Sequence, residues 1–294
     1  MKAMNVQALG KMKRAGQKIA MVTAYDQLFA GLADEAGIDV ILVGDSLGMV
    51  VQGRPTTLGV TLDEMIYHTR CVMARPRRCL VVGDLPFGSY QASVEQAVDS
   101  ACRMMAEAGC GAVKLEGGEE FADRVAGIAA AGAPVMGHVG LTPQSIHKFG
   151  GYKLQGRNAA SAREIARGAR ALQDAGAFSV VLEKVHAQVA ARISGALEIP
   201  SIGIGSGPLC DGQVLVLHDL LGLFEEFQPR FVKRYARLAG EIREALSTYA
   251  TEIRGGIFPG PEHSYGFGGG AAADAGADTE PPAGEIENEG SPAG

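Results

Sequence analysis

Three hydrophobic runs each end on a carboxylate beside glycine or proline: residues 40–44 run into Asp45, 80–83 into Asp84, and 112–115 into Glu116. An acid after a strand can simply open the next turn. Three in succession, on parallel strands that share an edge, can instead converge oxygen ligands on a hard divalent cation. Further along, His138 ends the run 134–137 and Glu183 closes the run 180–182. A carboxyl at the rim of an apolar pocket has its pKa raised toward the range of a general base. The alternative for Glu183 is a salt bridge with Lys184, although adjacent strand residues point to opposite faces. His138 is either a core residue bonded to backbone or a group that polarises a substrate oxygen. Lys114 and Glu116, two apart, share one strand face, with Val113 and Leu115 on the other. Buried charges need partners or a ligand. These two are therefore a structural ion pair, or an anion-binding lysine beside a metal-binding glutamate, with Lys114 placed to neutralise a substrate carboxylate.

Something must carry these groups to one place. Eight short apolar runs rich in β-branched residues predict strands at 19–24, 40–44, 79–83, 112–116, 134–139, 178–183, 200–205 and 214–218. Few of them alternate with polar residues, as expected of parallel strands covered on both faces. Helical patterns fall between them at 27–36, 62–74, 94–108, 121–131, 160–175 and 187–197, several followed by glycine, and a long closing helix is expected over 231–253. Strand and helix alternating over this length predict an α/β fold, a single-domain (β/α)8 TIM barrel over residues 1–265. In such a barrel Asp45, Ser46, Asp84, Lys114, Glu116, His138 and Glu183 all face the mouth at the carboxyl ends of the strands. The glycine-rich stretch 203–207 is either a tight turn or a backbone phosphate cradle. His218 and Asp219, at the end of the eighth run, read as a structural histidine and a helix-opening acid.

Composition narrows the class. The formal charge of −6 comes from residues 266–294, which hold six acids and no Lys or Arg, so 27 acids face 27 bases in the rest of the 294-residue chain. Nucleic acid finds no basic footprint beyond Arg75, Arg77 and Arg78, which read as a solvated loop. The Gly-, Ala- and Pro-rich tail 266–294 has too little apolar surface to offset ordering and is expected to be disordered. Five cysteines without CxxC spacing suggest free thiols rather than disulfides or a thiolate metal site. With no apolar run approaching the ~20 residues of a membrane span and no leader pattern, the expected location is cytoplasmic.

The strings Val43-Gly44-Asp45-Ser46-Leu47-Gly48-Met49, Gly83-Asp84-Leu85-Pro86-Phe87, Val113-Lys114-Leu115-Glu116-Gly117-Gly118, Gly137-His138-Val139-Gly140-Leu141-Thr142-Pro143-Gln144 and Phe149-Gly150-Gly151-Tyr152-Lys153 closely resemble the 3-methyl-2-oxobutanoate hydroxymethyltransferase, or ketopantoate hydroxymethyltransferase, family. The resemblance runs from about Thr23 to Gly260 and leaves out only the acidic tail. It implies a (β/α)8 enzyme that moves a one-carbon unit from 5,10-methylenetetrahydrofolate to 3-methyl-2-oxobutanoate, giving 2-dehydropantoate for pantothenate and coenzyme A synthesis. Carried over by motif, Asp45, Asp84 and Glu116 surround Mg2+, Asp45 and Glu116 through water. Ser46 and Lys114 hold the substrate carboxylate, with Asp45 and Asp84 also at the substrate, Glu183 accepts the proton, and His138 supports the oxyanion or proton transfers. The resemblance also implies a homo-oligomer, a decamer of two pentamers. Lys184 departs from the pattern of some relatives, standing where they are expected to carry a neutral residue. A Mg2+-dependent carbon–carbon lyase or phosphonomutase acting on another 2-oxo acid is the competing enzyme, and a catalytically silent barrel the competing non-enzyme. The lyase would carry a cysteine in a charged, glycine-rich catalytic loop, and no cysteine here has that setting.

Overall fold

The computed structural model describes residues 3–76, 78–226 and 228–265; the expectations for Arg77 and for the tail 266–294 lie outside the described residues. The chain divides into two compact units, Met1–Ala239 and Gly240–Gly294.

Eight parallel strands close the first unit into a barrel in sequence order: β1 (Ile19–Thr23), β2 (Val40–Val43), β3 (Leu80–Asp84), β4 (Ala112–Lys114), β5 (Val135–Gly140), β6 (Ser179–Glu183), β7 (Ser201–Ile204) and β8 (Gly212–Leu215), with β8 pairing back onto β1. The helices are α1 (Val6–Arg14), α2 (Gln27–Glu35), α3 (Leu47–Val50), α4 (Leu62–Met73), α5 (Val94–Ala108), α6 (Ala122–Ala130), α7 (Ile146–Phe149), α8 (Ala159–Asp174), α9 (Ala187–Ala196), α10 (Leu217–Leu220) and α11 (Leu238–Arg254). The (β/α)8 expectation is met.

Local chemistry explains the helix starts. Asp26, Thr61, Ser93 and Asn158 each accept a backbone N–H of the first turn, and at Thr61 the Glu64 side chain returns the bond to complete a capping box. Between helices and barrel lies the larger core, which takes Val113 and Leu115 as the sequence pattern required. A second cluster fills the barrel axis with Ile19, Met21, Val40, Leu42, Leu80, Val82, Ala112, Met136, Val181, Ile202 and Val214, and Leu9 of α1 joins it. Because Leu9 packs with Ile19 and Leu80, the first residues of their strands, α1 plugs the amino-terminal end and leaves the other end open.

Two stretches differ from expectation. The last strand is Gly212–Leu215 rather than 214–218, and His218 lies in α10, because pairing to Ile19 and Ile202 begins at Gly212. The long helix begins at Leu238 rather than near 231. The backbone N–H groups of Tyr235 and Leu238 donate to Leu220 and Leu221 carbonyls, which ties this approach to the end of α10 instead of letting it close a helix of its own. In the second unit, Ile242, Leu246, Tyr249 and Ile253 recur at helical spacing along α11, and the Phe258 ring meets those of Tyr249 and His263 at 5.5 and 5.2 Å.

Candidate active site

Strand parity places the chemistry. Axis-facing residues recur at every second position, so two residues beyond Met21, Val82, Ala112, Met136, Val181 and Ile202 the next interior layer is Thr23, Asp84, Lys114, His138, Glu183 and Ile204. All six line one cavity of about 400 Å3 at the carboxyl ends of the strands. Within this strand layer the charged residues fall on β3, β4 and β6 and the histidine on β5, whereas β7 contributes Ile204, and Val214 of β8 and the following Val216 add apolar lining. Asp45 and Ser46 enter from the link between β2 and α3. Glu116 enters from just beyond β4, where the Gly117 N–H donates to the His138 carbonyl at 2.9 Å. Gly117 has a φ of 125°, and a Cβ there would strike the Phe121 ring, so only glycine lets the chain turn directly after this carboxylate. The structure thus brings all seven expected site residues together.

Their contacts are specific. The Lys114 ammonium donates to both Asp84 oxygens, at 2.7 and 2.8 Å, and lies 3.8 Å from Glu116 Oε1. Parallel register sets Asp84 beside Lys114 on the neighbouring strand, which makes Asp84 the lysine's main partner. His138 stands between two acids, with Nδ1 3.3 Å from Glu116 Oε1 and Nε2 3.5 Å from Glu183 Oε2. Neither nitrogen makes a hydrogen bond of good geometry to a described residue, so both stay available to a substrate or a transferred proton. The Ser46 hydroxyl is 2.9 Å from the Tyr25 hydroxyl. Lys184 does not pair with Glu183. It ends β6 in a left-handed conformation at φ 46°, and its ammonium donates instead to the Tyr152 carbonyl at 2.9 Å.

Sequence reasoning left Gln144 and Tyr90 without roles, and both are buried supports of the acids. Gln144 donates from Nε2 to Asp45 Oδ2 at 2.9 Å and to the Leu85 carbonyl at 3.0 Å, while its backbone N–H donates to Glu116 Oε2 at 2.9 Å. The Tyr90 hydroxyl donates to Gln144 Oε1 at 2.7 Å and accepts the Glu116 N–H at 3.1 Å. One residue therefore holds two carboxylates from loops far apart in sequence, through its side-chain amide and its backbone N–H. Its sequence signal was its place at the end of the string 137–144 that carries part of the resemblance, in the loop that follows His138.

Four carboxylates share this space with Lys114. Burial, reinforced by the charges of Asp84 and Glu116, lifts Asp45 well above the usual carboxylate range. Burial also raises Asp84, although Lys114 opposes it. Burial works against the Glu116 charge too, but His138, Lys114 and the Gln144 N–H outweigh it and hold this carboxyl below its ordinary value. Glu183 is pushed up to about 7, chiefly by burial, with Glu116 adding to the shift and His138, Lys114 and Lys184 opposing it. Such a value suits a group that must take a proton near neutrality.

The buried excess of carboxylate charge and the all-oxygen donors of Asp45, Asp84 and Glu116 fit a hard cation such as Mg2+. Among the described residues no three His, Cys, Asp or Glu side chains form a cage by themselves. Water and substrate oxygens would complete the shell, as is usual for Mg2+.

A closed parallel barrel with acids, lysine and histidine buried at the carboxyl ends of its strands defines an enzyme of the α/β-barrel class. Residues 3–261 match the family described as ketopantoate hydroxymethyltransferase, and the chain belongs to that family. It is 56% identical over 251 residues, 85% of this chain and 87% of the relative, to a 3-methyl-2-oxobutanoate hydroxymethyltransferase of Oleidesulfovibrio alaskensis. The namesake of Moorella thermoacetica is also 56% identical, over 257 residues, 87% of this chain and 96% of the relative. Similar solved folds include a phosphonopyruvate hydrolase (TM-score 0.60, 14% identity, 88% of this chain and 90% of that one). Another is a phosphoenolpyruvate phosphomutase of Streptomyces platensis subsp. rosaceus (TM-score 0.59, 17% identity, 89% and 92%). At that identity they share the barrel, not a reaction. No cysteine is among the residues that line the cavity.

Proposed function

We propose that the chain transfers a hydroxymethyl group from 5,10-methylenetetrahydrofolate to 3-methyl-2-oxobutanoate, giving 2-dehydropantoate for pantothenate and coenzyme A synthesis. The observation that carries the reading is Glu183, a carboxyl pushed up to about 7 and set 3.5 Å from His138 at the rim of a buried acid–lysine floor, in a chain of this family. Ser46 and Lys114 bind the keto-acid carboxylate, Lys114 turning part of its donor capacity from Asp84 to the substrate. Asp45, Asp84 and Glu116 would hold Mg2+, which would supply Lewis acidity for negative charge on the oxo oxygen. Glu183 takes the C3 proton, and His138 accepts it from or returns it to Glu183 Oε2. In the net reaction the C3–H bond breaks, C3 bonds to the donor's methylene carbon, water supplies the hydroxyl oxygen, and tetrahydrofolate leaves.

Protein mixed with both substrates and Mg2+ is expected to form 2-dehydropantoate, detected by mass spectrometry, and to stop when Mg2+ is chelated. Folded protein that makes no product with all three present overturns the reading.

The same reading makes the protein a cytoplasmic homo-oligomer, a decamer of two pentamers. Free cysteines accord with that compartment, and among the described residues no helix is long and apolar enough to cross a membrane. Light scattering is expected to give about ten times the 30.6 kDa subunit mass, and monomer alone at micromolar concentration rejects the assembly.

A further inference from the structure

The keto-acid floor occupies only part of the cavity, which is larger than a branched five-carbon acid needs. Its other part is largely apolar, walled by Met49, Val50, Tyr152, Phe224, Pro229 and Phe231 with Lys184 beside them. Into this part comes one carboxylate, Asp219, from α10. Its side chain has no hydrogen bond or ion pair among the described residues. Arg234, whose charge acts on Asp219, donates from Nη2 to the Phe224 carbonyl at 2.9 Å. Burial raises the Asp219 carboxyl above its ordinary range, as expected of a carboxylate beside apolar walls with no donor to satisfy it.

The chemistry of the two substrates decides which of them satisfies it. The keto acid carries a carboxylate and an oxo group, which only accept hydrogen bonds, so Asp219 repels it from this half of the cavity. The one-carbon carrier presents a flat fused ring whose edge holds an exocyclic amine and a ring N–H side by side. Two parallel donors match the two oxygens of a carboxylate. The flat faces of that ring match aromatic walls. Lys184 organises one wall: its ammonium lies 5.7 Å from the Tyr152 ring centre and 5.8 Å from that of Phe231.

We propose that Asp219, with the rings of Phe224 and Phe231, is the subsite that grips the 2-amino-4-oxo edge of the pterin of the one-carbon carrier. The inference rests on the proposed function, because it takes a reduced folate as the donor. Asp219 thereby sorts the two ligands, the acid to the charged floor and the pterin to the apolar half.

Calorimetry on the full chain with Mg2+ and saturating 3-methyl-2-oxobutanoate tests it, with tetrahydrofolate as a probe that transfers no carbon. Asp219→Asn is expected to weaken tetrahydrofolate binding by about tenfold to a hundredfold, the loss of a charge-assisted pair, and to leave keto-acid affinity within about twofold. A tetrahydrofolate analogue with the 2-amino group replaced by methyl is expected to bind the wild type weakly and to lose little more in the variant, because both changes remove the same contact. Equal tetrahydrofolate affinity in wild type and variant overturns the subsite while leaving the donor assignment standing. Loss of keto-acid affinity along with tetrahydrofolate assigns Asp219 to support of the whole mouth and also overturns it. A wild type that binds no tetrahydrofolate overturns the donor assignment itself, and the subsite with it.

Discussion

Glu183→Gln is expected to slow exchange of the C3 hydrogen of 3-methyl-2-oxobutanoate with deuterated water by about 10²–10⁴-fold while the keto acid and Mg2+ still bind. Glutamine keeps the size and polarity of the side chain but cannot take the proton. Exchange followed by NMR reads enolisation alone, before any carbon is transferred. In the wild type the same measurement should depend on pH in a defined direction. The Glu183 carboxyl is raised to about 7, so its basic form is lost below that pH, and exchange falls about tenfold per unit as acid is added. The residual exchange of the variant should lack that step. Near-wild-type exchange in Glu183→Gln would transfer the base role to His138, which stands 3.5 Å away. Loss of both exchange and keto-acid binding would make Glu183 a ligand-positioning residue.

How legible each part of this site was depended on what fixes it. Asp84, Lys114, His138 and Glu183 lie within strands. A two-residue period and the rule that barrel chemistry sits at the carboxyl ends therefore assign both their face and their end. Asp45 and Glu116 lie just past their strands and follow by continuity. The Tyr90–Gln144 bond joins residues 54 positions apart. It arises from how two loops fold over the mouth, and no local period encodes that. Lys114 shows the same limit. Its spacing from Glu116 was visible along one strand, but its stronger pairing with Asp84 depends on parallel register between strands. At α10 the pattern misled, because Val214-Leu215-Val216-Leu217-His218 reads as one apolar run although Val216 already turns the chain into a helix.

That cross-strand pairing gives Asp84→Ala two separable effects, one on stability and one on turnover. Removal of the carboxylate strands the Lys114 ammonium inside the barrel, with Glu116 at 3.8 Å as its nearest acid in ion-pair range, and it leaves the Asp45 N–H without its 3.3 Å acceptor. Breaking a buried pair from one side costs about 3–5 kcal/mol, which a shift in the denaturant midpoint will show. Turnover is expected to vanish as well, because a hard ligand for the proposed Mg2+ is lost along with the group that orients Lys114. A second substitution separates the two effects. Asp84→Ala combined with Lys114→Met removes the stranded charge, and stability should return part of the way, short of wild type because Glu116 then loses a cation that favours its ionised form. Turnover should not return, since the pair and the anion-binding ammonium are both gone. A double variant no more stable than the single one would attribute the loss to the orphaned Asp45 N–H and the space left behind rather than to the lysine. Asp84→Ala that retains wild-type turnover and Mg2+ dependence would remove Asp84 from the metal site and leave it a purely structural partner of Lys114.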